Sequence, residues 1–348
     1  MADVLTILNT IRANASSMYQ ERIPTATANN LKELGGTMLE YEVVKNEFLD
    51  AFIGRIAFSV ASNRRFKNPL SILKKGTKPF GTDIQEMYTN PITGEVFNGT
   101  DTGDLLSINK PDVKTMYHRI NRKDKYKVSV SDAQLQKAFT SVNELNILLN
   151  SIITAMYSGD EIDEYLLMRN LVTDAVAKGK LVSYEVAYDG GADTSKELIK
   201  FVKTLSTNFT FPSKDYNGYN AANKAAIEAG SISACTTWTP KENQIILIRS
   251  DVDAATDVEV LAKAFNMDKT DFLKRKVVID SFGDATTLMC LVDESMFQVY
   301  DDLYVVREFN NGSNLTYSKW LHHWQTMSLS LFANGVVIKQ AAAAEPTE

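Results

Sequence analysis

The stretch WLHHWQTMSLSLF at 320–332 holds two of the three histidines in the chain. Adjacent imidazoles invite a metal site or acid–base chemistry. The residues around them argue otherwise. Met327, Leu329 and Leu331 alternate with Thr326, Ser328 and Ser330, the period of a half-buried β-strand. A strand running back through His322 and His323 sends their side chains to opposite faces, so the pair cannot close on one ion. The HExxH and CxxC spacings of zinc sites are absent. The expectation is a strand with one histidine beside Trp320 and Trp324 and the other pointing outward.

The remaining candidates for chemistry are weaker. DVDAATD at 251–257 places acids at alternate positions but lacks the turn glycine of a calcium loop. Asp160/Glu161 and Asp163/Glu164 fall at a helix start, where negative charge is favoured by the helix dipole. His118 lies among basic residues. The chain contains no GxGxxG, GxxxxGK[ST] or GxSxG motif and no EF-hand loop. No catalytic residue, cofactor or metal is therefore assigned. Cys235 and Cys290, the only cysteines, are expected to be buried free thiols.

The elements that would position any site follow from length and pattern. A chain of 348 residues supports about two or three lobes, and 44% hydrophobic with 23% charged residues is ordinary folded composition. No apolar run approaches the roughly 20 residues of a membrane span. The N-terminus has no basic region followed by an apolar block, so no secretory signal is expected, and the sequons at Asn98, Asn208, Asn311 and Asn314 carry no weight. The net charge of −6 is unevenly spread: Arg64 to Lys127 holds 13 Lys and Arg against 7 acids, while the rest holds 24 against 36. Such a basic block suits nucleic acid or an acidic surface on another copy of the chain.

Residues 1 to about 37, with Pro24 and TATANN, read as an extended arm. Val44, Phe48, Phe52 and Ile56 step by four as a short amphipathic helix. The basic block is broken by turn signals, NP at 68–69 and 90–91, PFG at 79–81 and FNGTDTGD at 97–104. Its bases lie on two limbs: Arg64, Arg65, Lys67, Lys74, Lys75 and Lys78 going out, and Lys110, Lys114, Arg119, Arg122, Lys123, Lys125 and Lys127 returning. A long projecting hairpin is expected, of the kind that is usually functional. Ser131 and Gln134 then form a capping box. Leu135, Phe139, Val142, Leu145, Leu149, Ile152 and Met156 predict a helix of about 26 residues, or roughly 40 Å. Ser158 and Glu161 predict a second start, and Gly179 a stop. From about 190 to 285 the pattern alternates: a helix capped by Thr194 and Glu197, the strand QIILI at 244–248, the helix DVEVLAKAF at 257–265 and the strand KVVID at 276–280. Long strands follow, from TLMCLVD through the histidine stretch, and an alanine-rich tail closes the chain.

Several runs, in this order, resemble the major capsid proteins of phi29-like short-tailed double-stranded DNA phages: IPTATANN (23–30), NPLSILKKGTKPFGTDIQEMYT (68–89), VKTMYHRINR (113–122), SIITAMYSGDEIDEYLLMRNLV (151–172), DVEVLAKAFNMDKTDFL (257–273), VVIDSF (277–282), LVDESMFQVYDDLY (291–304) and HHWQTMSLSLFANGVV (322–337). None is a catalytic motif; the colinear set, covering nearly the whole chain, is what is specific.

The resemblance implies an α+β fold of the HK-97 capsid type. It assigns 1–57 to an N-terminal arm and short helix and 58–130 to an extended loop. It assigns 131–189 and 286–340 to a peripheral domain with a spine helix at 131–157, 190–285 to an axial domain, and 341–348 to a loose tail. The immunoglobulin-like domain that follows in the phi29 protein is not expected, because the sequence stops at PTE. The implied function is structural and not enzymatic: self-assembly into pentamers and hexamers of an icosahedral or prolate head. Scaffolding protein and portal are the assembly partners, and packaged double-stranded DNA is held without tight specific binding. No membrane partner is implied, and assembly falls in the host bacterial cytoplasm. Arg64, Arg65, Lys67, Lys74, Lys75, Lys78, Lys114, Arg119, Arg122, Lys123, Lys125 and Lys127 are the candidate inter-subunit contacts. An encapsulin-like cage, or a nucleic-acid-binding module using Tyr88, Tyr117 and Tyr126, is the alternative reading.

Overall fold

The computed structural model describes residues 4–51, 66–79, 81–96, 108–140, 142–256 and 275–341. The chain divides into two compact units: Met1–Asn68 with Arg122–Glu164 and Asp301–Gln325, and Pro69–Asn121 with Tyr165–Tyr300 and Thr326–Glu348.

In the first unit, β4 (Arg122–Ser131) pairs antiparallel with β10 (Thr316–Leu329), setting Lys123 opposite Trp324, Lys125 opposite His322 and Lys127 opposite Trp320. Beyond β10 lies β9 (Phe297–Asn311), so β4 is an edge strand; β1 (Lys74–Thr77) is a short strand of the second unit. The N-terminal region is not the extended arm that its polar composition suggested. It forms four helices, α1 (Val4–Asn14), α2 (Ser17–Arg22), α3 (Leu31–Glu40) and α4 (Glu42–Asp50). Each is amphipathic on a short scale. Val4, Ile7, Leu8 and Ile11 follow the i, i+3, i+4, i+7 pattern and are buried; Leu31, Leu34, Gly35 and Met38 do the same. Val44 and Phe48 of the predicted helix are buried in α4, while Phe52 and Ile56 lie outside the described residues. Gly35 allows a close approach, because a Cβ there would sit 2.4 Å from Cβ of Phe139.

The capping box at Ser131 is present: Ser131 Oγ accepts from Gln134 N at 3.2 Å and Gln134 Oε1 from Ser131 N at 3.1 Å. The helix it opens is not continuous. α5 (Asp132–Ala138) stops where Thr140 N bonds back three residues to Lys137 O. α6 (Val142–Ile153) then passes through a π-helical turn at Thr154–Ser158 into α7 (Gly159–Ala177). The second start predicted at Ser158 and Glu161 falls where the π-turn gives way to α7, inside a continuing helical run. Their side chains accept hydrogen bonds from the backbone N–H groups of Phe66 (3.2 Å) and Asn68 (2.9 Å), so they hold a neighbouring segment instead of capping a helix.

The second unit is built on a five-stranded sheet in the order β5–β11–β8–β6–β7 (Val182–Val186, Gly335–Gln340, Thr287–Asp293, Gln244–Arg249, Lys276–Ile279). Its central strands β11, β8 and β6 are buried and mostly apolar on both faces, as befits a doubly covered sheet. Ile245, Leu247, Cys290, Val292 and Val337 join Met168 and Val172 of α7 in one core. Ile246, Ile248, Met289, Leu291, Val336 and Ile338 join Leu198, Val202, Leu205 and Phe209 in the other. The helix behind that second core, α8 (Ala192–Asn208), starts two residues before the predicted Thr194 cap, with Gly191 as its N-cap. Thr194 Oγ turns to Asp189 and Gly191 O instead. Both cysteines are buried free thiols, and burial pushes their pKa values up, that of Cys235 to about 11. The predicted helix at 257–265 lies outside the described residues. β2 (Ile84–Thr89) and β3 (Val113–His118) form a hairpin registered from Ile84 opposite His118 to Thr89 opposite Val113; it is shorter than the one expected from limbs at 64–78 and 110–127, because β1 and β4 pair with other strands.

Candidate subunit-contact surfaces and a buried ionic cluster

The hairpin sends alternate side chains to two sides. Toward its own unit, His118 Nδ1 meets Ser328 Oγ at 2.6 Å and His118 Nε2 meets Glu86 Oε2 at 2.9 Å, while Ser330 Oγ donates to Glu86 Oε1 at 2.6 Å. These are the residue types of a nucleophile–base–acid chain; here they fasten one strand to another. Tyr88 stacks on Phe332 at 5.5 Å, and its hydroxyl donates to Thr236 O. Asn90 donates to Ala234 O at 2.8 Å and accepts from Thr236 N at 3.1 Å. Asp112 accepts from Lys114 Nζ and Ser233 Oγ, both at 2.6 Å, and from Asn90 Nδ2. The hydrogen bond from Lys114, then that from Ser233, lowers its carboxyl pKa to about 2.

The other side of the hairpin is open and mixed: Met87 is 67% exposed, Tyr117 56% and Val113 48%, alternating with exposed Gln85, Thr89 and Thr115. Ile92, Val96 and Ile108, beyond the paired strands, are more exposed still. These exposed apolar side chains make this side a candidate contact surface.

The candidate bases do not share one finger. Arg64 and Arg65 lie outside the described residues. Lys67 is exposed. Lys74 and Lys75 belong to β1, where Lys75 donates to Glu294 O at 2.9 Å. Lys78 is buried and donates to Thr82 O at 2.7 Å. Lys114 is occupied by Asp112, and Arg119 pairs with Asp83 at 3.0 Å on the surface. Lys123, Lys125 and Lys127 form an exposed row along β4. The ammonium of Lys123 lies 5.0 Å from the Trp324 ring and that of Lys127 5.3 Å from the Trp320 ring, both within cation–π range. His322 sits between the two indoles on the same face.

Arg122 is a correction. It has the opposite parity on β4 and is 4% exposed, so it cannot serve as a surface contact. Its guanidinium donates to Asp160 Oδ1 at 2.9 Å, Asp124 Oδ2 at 2.6 Å, Tyr126 Oη at 2.8 Å and Gln325 Oε1. His323 is the second correction. It does not point outward; it is 3% exposed, with Nδ1 at 2.7 and 2.9 Å from the Asp160 carboxylate and Nε2 at 3.1 Å from Asp301 Oδ1. Burial pulls its pKa down, but Asp160 and Asp301 outweigh that and raise it above the ordinary value. Gln325 Nε2 donates to Glu164 Oε1 and, at 2.7 Å, to Asp301 Oδ1. Asp160 and Glu164 thus do more than favour a helix start: they are buried partners of β10. Strand parity marks Arg122 as inward, but no spacing shows which partners it meets, because they come from β4, α7, β9 and β10.

The fold of these units is that of HK-97-type phage capsid subunits. The capsid structure of Staphylococcus phage Andhra superposes with a TM-score of 0.62 at 15% identity, over 80% of this chain and 85% of that one. A chain from the structure of native bacteriophage P68 gives 0.60 at 14%, over 80% and 86%. The sequence narrows the class: the family model of the Phi29-like phage major capsid protein matches residues 8–339. The major capsid protein of Bacillus phage PZA is 33% identical over 95% of this chain and 71% of its own length. That of Streptococcus phage Cp-1 is 27% identical over 95% and 92%. The chain belongs to the Phi29-like phage major capsid protein family, structural proteins of the phage head.

Proposed function

We propose that this chain closes into pentamers and hexamers of an icosahedral or prolate shell around double-stranded DNA, and that the outward face of the β2–β3 hairpin is a principal contact between copies. The observation that carries the reading is the pairing of opposites on the hairpin. Its basic residues Lys114 and Arg119 are matched within the chain by Asp112 and Asp83, while Met87, Val113 and Tyr117 are left open. Head-to-tail rings need one surface to meet a different surface of the same molecule. Apolar burial supplies the cohesion of such a contact at about 25 cal/mol per Å². The exposed lysine row of β4 supplies steering and register more than affinity.

The assignment covers partners and place as well. Scaffolding protein and portal take part during assembly in the host bacterial cytoplasm. Packaged DNA is confined rather than gripped, because the balance outside the basic block is acidic. The chain has a structural role and no catalytic one. The test is co-expression with the phage scaffolding protein and negative-stain microscopy. Unaltered chain gives closed shells. Met87→Asp with Tyr117→Asp, both at exposed positions, gives folded subunits by circular dichroism and no shells. Normal shells from that variant overturn the assignment of the hairpin face.

A further inference from the structure

We propose that Glu164, Asp301 and His323 form a binding site for a divalent cation of the zinc or manganese class. One ligand atom from each residue lies within 4.8 Å of the other two. The three come from α7, β9 and β10, so a bound ion would tie the start of a helix to two strands of the sheet within the first unit.

The second observation is the orientation of the imidazole. Asp160, which is not one of the three, holds Nδ1 through both carboxylate oxygens at 2.7 and 2.9 Å. The ring of Tyr304 packs edge-on against it at 4.8 Å between centroids. Nε2 is thereby directed at Asp301 and Glu164. Metal-ligating histidines characteristically donate their far N–H to a carboxylate; Nδ1–H on Asp160 takes that part, and an ion binding at Nε2 displaces to solvent the proton that Nε2 now shares with Asp301. Gln325 marks the centre of the site. Its amide nitrogen donates to Glu164 and Asp301 together, so both carboxylates already converge on one electropositive group. An entering cation takes that place, and the amide turns away. One imidazole with two carboxylates is harder than a thiolate site and softer than an all-oxygen one, which selects zinc or manganese over calcium or copper(I).

The test uses the purified full chain, stripped with chelator and titrated with zinc or manganese chloride by calorimetry, with bound metal counted by mass spectrometry. One equivalent per chain and a metal-dependent rise in melting temperature are expected. His323→Gln abolishes the binding. Asp160→Asn, which removes the positioning carboxylate and with it the charge partner of Arg122, weakens it about 10–100-fold in a variant whose folding is checked by circular dichroism. His322→Gln, on the opposite face of the same strand, leaves it unchanged. Because His323→Gln can disturb folding, cobalt(II) is added to the unaltered chain as well; visible ligand-field bands of a nitrogen- and oxygen-ligated ion support the site. A featureless cobalt spectrum, no stoichiometric uptake, or uptake unchanged in a folded His323→Gln variant overturns it.

Discussion

Arg122 and Lys123 are neighbours with opposite fates. Lys123 lies over Trp324 in solvent, whereas Arg122 joins Asp160, Asp124, Tyr126 and Gln325 inside. Truncating one member of a buried charged network leaves the others uncompensated, which costs about 3–5 kcal/mol. Breaking a surface pair costs about 0–1 kcal/mol. Arg122→Ala should therefore lower the urea midpoint strongly, and Arg119→Ala, which releases only Asp83, should barely move it. Equal midpoints for the two variants would contradict the burial of Arg122. The parity was legible beforehand: Tyr126, Val128 and Val130 share the register of Arg122, while Lys123, Lys125 and Lys127 share the other. A basic residue in phase with the apolar ones is an inside residue. His323 offered no such signal, since nothing in its local sequence announces Asp160 or Asp301.

Elements were read well where the pattern was long or strictly alternating. The strand through the histidines, QIILI, KVVID and the capping box at Ser131 all formed. The helix on Val44 and Phe48 formed as α4, but α1 to α3 were missed because each is short and interrupted by polar turns, so their stability comes from tertiary burial more than from propensity. The spine helix was over-extended for the converse reason: its apolar period continues across the break at Phe139 and through the π-turn. The hairpin itself was legible in its turn residues, but its anchorage was not, because Asp112, Ser233 and Thr236 meet only in the fold. That anchorage makes a pH prediction. Asp112 has an ordinary pKa of 3.8, lowered to about 2 in the folded chain. A depressed folded pKa contributes stability above the unfolded value and loses it as pH falls through the folded one. Protection of the amides in 84–96, 108–118 and 231–237 against hydrogen exchange should fall between pH 3.8 and about 2, ahead of that in peptides from the β6–β8 core. Asp112→Asn should show fast exchange in those segments at neutral pH as well. Protection that is flat across this window would mean that Asp112 does not hold the hairpin.

At the scale of the whole molecule, the contiguous basic block suggested a single charged finger gripping an acidic neighbour. The structure distributes those charges over β1, the hairpin and the β4 edge, and matches several of them inside the chain. What stays open is the lysine row of β4 and, on the hairpin, Met87, Val113 and Tyr117. The two pictures differ in their response to salt. A shell cohering mainly through exposed ion pairs would dissolve as the Debye length falls from about 10 Å at 0.1 M to about 3 Å at 1 M. A shell cohering through apolar burial, with lysines only steering the encounter, should assemble more slowly in salt yet reach the same or greater yield, because burial is not screened. Light scattering of purified subunits with scaffolding protein, followed from low to molar sodium chloride, reads rate and plateau separately. The expected outcome is a falling rate with a maintained plateau. Reversing Lys123, Lys125 and Lys127 to Glu should slow the low-salt rate and leave little further salt dependence. A plateau that collapses with salt in the unaltered chain would return the cohesive role to the ion pairs.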